Sequence, residues 1–382
     1  MASVRPILAR GTFYQPELDS LRFVAFLGVF LFHSMPHVAE FYAAYGIPAS
    51  VVSVICGAIS SGACGVDLFF ALSAYLITSL LLRERETTGR LDVRNFYIRR
   101  ILRIWPLYFG FILFAFVVPL AVKSQHHLDL RYVAGFVLLV GNWVYVLYGL
   151  PLHSFALPLW SISVEEQFYL SWPLIVRKTS RQMMAALAVL LLMVANLTRV
   201  TFAFRGSHQA AFEYSTLTRL DPIAMGILLA LIAHRLPRFT TVQRLALLFA
   251  SGAALVLVGM YCGLYPLDDI TVNRWGEIIG RPVVAFASIA MLLAILGVRW
   301  MWIRNTALLY LGKISYGLYV VHSLGLKIAS VLIQPEGLFG YVAQVGIGLT
   351  VTTILAAISY EYLETPFLHL KERFAHIASR PV

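Results

Sequence analysis

Runs of about 18 to 25 largely apolar residues recur along the chain from near Leu18 to near Tyr362, and a run of that length crosses a hydrocarbon layer about 30 Å thick as a helix. This feature constrains the fold most, because lipid offers peptide groups no partners and each spanning segment must satisfy its own backbone as a helix. The runs lie near 18–37, 63–82, 101–122, 131–149, 160–176, 183–204, 219–236, 243–264, 281–298, 306–333 and 338–362. Composition agrees, since 59% of the 382 residues are hydrophobic and 13% are charged, well outside the make-up of a soluble domain. The expected fold class is therefore an all-α polytopic membrane protein, with 1–382 forming a single integral-membrane domain.

The formal charge of +11 does not point to nucleic acid. The basic residues stand at the ends of apolar runs instead of interleaving with aromatics on a polar face, which is the positive-inside arrangement. RERETTGRLDVRNFYIRR is the most basic loop and is assigned to the cytoplasm, which puts the N-terminus there too. Counting back from KERF at the other end assigns RWMWIRN, HRLPRFTTVQR and RKTSRQ to the same side, so both termini are expected to be cytoplasmic. Between KSQHHLDLR and RKTSRQ an odd number of crossings is then required, yet two apolar runs lie there. PLHSFALPLWSISVEEQFYLSWP, with adjacent carboxylates, several hydroxyls and three prolines, is the expected re-entrant or broken segment near 151–173, lining a cavity. That leaves about ten transmembrane helices. MASVRPILAR lacks the apolar centre of a cleavable leader, so the first apolar helix is expected to direct insertion. Cys56, Cys64 and Cys262 have no metal-ligand spacing, and read as small buried thiols or, for Cys56 and Cys64, as a pair on an oxidising side.

Ionisable groups within apolar runs are costly and mark function by default. RFVAFLGVFLFH opens on Arg22 and closes on His33. Eleven residues at 100° each return the two to nearly one helix face, roughly 16 Å apart along the axis. Arg22 also reads as a boundary residue reaching for water, and His33 as a hydrogen-bonded interior histidine or, with His37, half of an HxxxH metal pair. Asp67, near the outer end of GVDLFFALSAYLIT, matches His33 in depth; it suits either an imidazole partner or a helix cap, and Ser73 lies about two turns deeper. In FYIRRILRIWPLYF, Arg99 and Arg103 are four apart with Arg100 beside them. Three guanidiniums at one helix mouth suit a phosphorylated ligand or anionic headgroups. Ser161, Glu165 and Tyr169 share a helix face, as do Ser315, Tyr319 and His322; both sets point into a shared cavity or act as interhelical glue.

These strings, together with LDSLRFVAFLGVFLFH, LWSISVEEQFYLSWPL, RLDPIAMGILLA, ISYGLYVVHS and YEYLETPFLHL in order, closely resemble the acyltransferase type 3 family of polytopic membrane O-acyltransferases. The resemblance implies transfer of an acyl group, acetyl above all, from cytoplasmic acyl-CoA to a hydroxyl of a saccharide, lipid-linked glycan or glycosylated natural product, in a bacterial inner membrane. It implies that His33 is the essential histidine, Arg22 its partner, Glu165 the acid of the SVE motif, and Arg99, Arg100 and Arg103 the donor side. Ser73, Ala74 and Tyr75 stand where the family usually has SGF, Leu324 replaces a proline, and Glu364, Thr365 and Pro366 replace ERP. No SGNH-type hydrolase domain is expected to be appended. With His33 as general base, Asp67 or Glu165 is expected to orient the imidazole, Ser73, Tyr169 and His322 to serve the donor and its oxyanion, and no metal to take part. The competing function is a proton-coupled exporter, which would also bury such groups but would repeat its broken helices in matching halves, a pattern this sequence lacks. A non-enzymatic lipid-binding membrane protein is a further rival.

Overall fold

The computed structural model describes residues 13–121, 128–151, 154–237, 239–264, 272–374 and 377. Residues 1–10, most of KSQHHLDLR and much of LDDITVNR, on which the leader and outer-loop readings rest, lie outside them. The described residues are helical and contain no strand. In chain order the helices are α1 (Glu17–Ser34), α2 (Ala39–Ala43), α3 (Ala49–Ser61), α4 (Gly65–Thr88), α5 (Val93–Ala121), α6 (Leu130–Val137), α7 (Gly141–Tyr148), α8 (Trp160–Lys178) and α9 (Arg181–Arg205). There follow α10 (Gln209–Tyr214), α11 (Leu220–Ile232), α12 (Thr241–Tyr261), α13 (Arg281–Ile295), α14 (Thr306–Lys313), α15 (Ser315–Leu332), α16 (Gly337–Ser359) and α17 (Thr365–Glu372).

Among the described residues, seven helical stretches are long and apolar enough to cross a membrane, or eight if the bent pair α14 and α15, at 74°, is one span. The chain is a multi-pass integral membrane protein. The expected ten is reduced by this measure because α1, with Glu17, Asp19 and Arg22, and α8, with Glu165, Glu166, Arg177 and Lys178, carry too much charge.

The interruption expected near 151–173 lies largely elsewhere. Residues 152–153 are outside the described set, but Leu157–Leu159 forms one 3-10 turn and α8 then runs unbroken through Pro173. Pro173 sits in the apolar half of a helix already started, where packing holds the turn whose hydrogen bond it forgoes. The break falls one element upstream. The apolar run 131–149 folds as two eight-residue helices, α6 and α7, meeting at Leu139 with φ 60°. Gly141 permits this hairpin, since a Cβ there would meet the Phe136 ring at 2.3 Å. The run 306–333 is likewise divided, at Ile314.

The main apolar core passes through α1, α4, α5, α8, α11 and α15. Small residues let these helices approach closely. A Cβ on Gly62 would lie 2.2 Å from the Gly28 carbonyl oxygen of α1, and one on Gly226 of α11 would lie 2.3 Å from that of Ala71 in α4. Near the Asp67 end of α4 a buried ionic chain closes the bundle. Arg219 pairs with Asp67 (3.2 Å) and Glu213 (2.7 Å), and Arg281 pairs with Glu277 (2.8 Å) and with Glu213. Nearby, Arg199 meets Asp221 at 2.5 Å. Glu213, on the short connecting helix α10, has its carboxyl pushed up by burial, against the pull of the two guanidiniums it holds.

Replacing Gly62 by Val forces α1 and the 3-10 turn Gly62–Cys64, just before α4, apart and should cost about 1–3 kcal/mol, seen as a lower thermal midpoint in detergent. Gly252→Val, where a Cβ meets nothing within 4 Å, is the control and should leave the midpoint nearly unchanged. Equal midpoints for the two variants would contradict the close approach.

Candidate active site

At the Arg22 end of the bundle two partly open cavities, about 730 and 630 Å³ with the adjoining open space included, are both lined by Arg22, Ser73, Arg100, Arg103 and Tyr169. Helix geometry determines which arginines reach them. Arg100 and Arg103, three apart on α5, share the face turned to the cavity. Arg99 is rotated away, buried, and committed to Glu84 (3.0 Å) and the Phe374 carbonyl (2.7 Å). The expected Arg99 and Arg103 pairing at the mouth is thus replaced by Arg100 and Arg103, because Glu84 of the preceding α4 captures Arg99.

Arg100 lies over the rings of Phe96 and Tyr169, each at 5.5 Å, and forms no ion pair among the described residues. Aromatic faces stabilise a guanidinium without neutralising it, so its donors stay directed at the cavity. Arg22 is joined to Asp19 at 2.7 Å. Ser73 donates to Glu165 Oε1 at 2.8 Å, and Glu166, one residue on and facing α5, accepts from Trp105 Nε1 at 3.1 Å.

The inner end of the larger cavity is apolar, walled by Val66, Phe69, Phe70, Ile104 and Ile162. It closes on Ser161 and Tyr319, whose hydroxyls lie 2.7 Å apart and within 3.2 and 3.1 Å of the Pro158 carbonyl. Arg22 lines this chamber, but His33 is not among its lining residues. The two ends of the common α1 face therefore do not share this chamber.

His33 sits beyond Tyr319. Its Nδ1 lies 2.9 Å from the Val29 carbonyl and 3.3 Å from Nε2 of His322. Nδ1 of His322 lies in turn 2.6 Å from the Tyr319 carbonyl. A carbonyl only accepts, so each Nδ1 carries the proton, and Nε2 of each neutral ring carries a lone pair. His33 Nε2 has no hydrogen-bond partner among the described residues. His322 is wholly buried, whereas the His33 side chain is exposed on one side.

Neither expected acid reaches His33. Asp67 is held by Arg219 and Glu165 by Ser73, so His322 occupies the place expected of a carboxylate. The spacing of Ser315, Tyr319 and His322 brought all three inward but gave no sign of which side chain on another helix His322 meets. Arg219, whose guanidinium also covers Trp160 at 5.3 Å, drew no separate attention in the sequence because its partners are 152 residues before it and 6 residues before it. His37 stacks on Phe32 at 5.1 Å, and among the described residues no group of three His, Cys, Asp or Glu side chains is arranged for a metal.

This cavity is formed by the segments that match a model of the acyltransferase domain, which covers residues 15–361. The chain belongs to the acyltransferase family that this domain defines. It is similar to the O-acetyltransferase OatA of Staphylococcus aureus strain NCTC 8325, at 28% identity over 92% of this chain and 57% of the relative. OatA of strain COL matches at the same identity and coverage. The chain thus spans a little over half the length of the curated relatives it matches. No solved structure matches it significantly.

Arg99→Met leaves Glu84 buried without its cation and should destabilise the protein by about 3–5 kcal/mol. Arg100→Met removes a guanidinium that forms no ion pair among the described residues and should cost far less. Thermal midpoints of the two variants in one detergent check the order, and a reversal would contradict these assignments.

Proposed function

We propose that the chain is a membrane O-acetyltransferase that takes acetyl from acyl-CoA at the Arg100 chamber and delivers it to a hydroxyl near His33. The observation that carries this reading is the Arg100 guanidinium, which lines a cavity and forms no ion pair among the described residues. A guanidinium there suits an anionic ligand, and Arg suits phosphate in particular. The family and its O-acetyltransferase relatives supply the reaction class.

In this reading α1 and α8 cross the membrane with the eight apolar spans, giving ten, and both termini face the cytoplasm of a bacterium. The chamber then opens to the cytoplasm, where its arginines meet the donor's phosphates. The slim arm of the donor passes along α1, and its thioester approaches the level of Tyr319. Movement of the Tyr319 and Ser161 hydroxyl pair opens the way from the chamber to His33.

His33 Nε2 accepts the proton of the acceptor hydroxyl as the oxygen attacks the thioester carbonyl carbon. The C–O bond forms and the C–S bond breaks. The departing sulfur takes the proton back from His33, leaving ester and thiol with the enzyme unchanged. Ser73 and Tyr169, with Glu165 held between helices, are assigned to donor positioning. The acceptor is a hydroxylated saccharide, lipid-linked glycan or glycosylated product.

Purified protein in liposomes, supplied with labelled acetyl-CoA and a panel of glycans, tests the reading. His33→Ala should lower turnover by about 10²- to 10⁴-fold with donor binding nearly intact. Arg100→Gln should raise the donor KM about tenfold or more, as expected for losing a charge-assisted hydrogen bond. Retained turnover in the first variant removes the base; an unchanged KM in the second removes the phosphate contact.

A further inference from the structure

We propose that His322 is a positioning residue for His33, holding the imidazole by its Nδ1–H and stabilising it when it becomes charged. The inference rests on the reading of His33 as the base, and it concerns a group that touches neither substrate in that scheme.

Three contacts define the arrangement. Val29 O and His322 Nε2 share the His33 Nδ1–H at 2.9 and 3.3 Å, and Tyr319 O fixes the His322 tautomer at 2.6 Å. The two rings have their centroids 5.1 Å apart and are tilted by 40°. Phe26 and Tyr319 pack on His322 at 6.3 and 5.6 Å, so the wholly buried ring has little freedom to turn.

The carbonyl and the imidazole do different work. A backbone carbonyl one turn back is available to many helical histidines and is enough to set the tautomer. It does not stop the ring from rotating about its own bonds. A second acceptor from α15, 289 residues away in sequence, fixes the plane of the ring and hence the direction of Nε2. When Nε2 takes a proton, the Nδ1–H becomes more acidic, and hydrogen bonds to a charged donor are stronger than to a neutral one. His322 Nε2 then stabilises the imidazolium more than it stabilises the resting ring, which lowers the barrier selectively. An Asp in that place would do the same with a full charge, and no carboxylate occupies it.

His322→Leu removes the acceptor. Turnover should fall on the order of 10- to 100-fold, the loss of one hydrogen bond to a charged group, with donor KM unchanged. His322→Gln, which keeps an acceptor oxygen, should recover most of the rate. The double variant His33→Ala with His322→Leu should be no slower than His33→Ala alone, because a positioning residue has nothing left to position. ¹⁵N spectra of the histidine-labelled wild-type protein give a test that needs no variant of His322 to be active. The His322 ring, identified as the signal absent from His322→Gln, should carry its proton on Nδ1 and not on Nε2. Wild-type turnover in His322→Leu, or a protonated Nε2 on His322, overturns the proposal. If His33→Ala instead retains full turnover, it is the assignment of the base that fails.

Discussion

A charge deep in a membrane protein must find a partner inside the protein, because the surrounding lipid supplies none. This requirement organises the structure. Arg199, Arg219 and Arg281 are each joined to carboxylates in the buried chain that ties α4, α9, α11 and α13 together near Asp67. Arg99 is joined to Glu84, which fixes the start of α5 against α4. The Arg100 guanidinium differs from them in resting on aromatic faces with no ion pair among the described residues, and it lines the cavity.

The same pressure explains how the polar groups divide. Glu165 is secured by a hydroxyl of α4 and Glu166 by an indole of α5, so two adjacent carboxylates brace opposite sides of α8. Such contacts hold the chamber's shape across helices far apart in sequence. Beyond Tyr319, two neutral imidazoles replace an ion pair. A neutral pair can be buried without the desolvation penalty of charges and still gain strength when a proton arrives. The chamber therefore concentrates fixed charge, while the two imidazoles beyond Tyr319 form no ion pair among the described residues.

Much of this was legible in the sequence where the signal is local. Long apolar runs marked the helices, and the Arg22 and His33 spacing placed both on one face of α1. Periodicity also turned Ser161, Glu165, Ser315 and Tyr319 inward. What the sequence could not show were partners set by the packing of distant helices. The expected match of Asp67 and His33 in depth is not met, since Gly65, two residues before Asp67, packs on Ala25 and Val29 of α1, and Arg219, 152 residues on, claims the carboxylate. Three arginines in one turn region looked equivalent until Glu84 captured one. The break between α6 and α7 was hidden because an apolar hairpin and an apolar span have the same composition, and only Gly141 and the left-handed Leu139 distinguish them.

A structure of the protein bound to a non-hydrolysable acyl-CoA analogue tests the central claim most directly. Donor phosphates are expected against Arg100, with the arm running along α1 and the atom replacing the thioester carbonyl carbon within reach of His33. The Ser161 and Tyr319 hydroxyls should then have moved apart. A donor bound outside the chamber, or seated there with its acyl end turned away from α1, would contradict it.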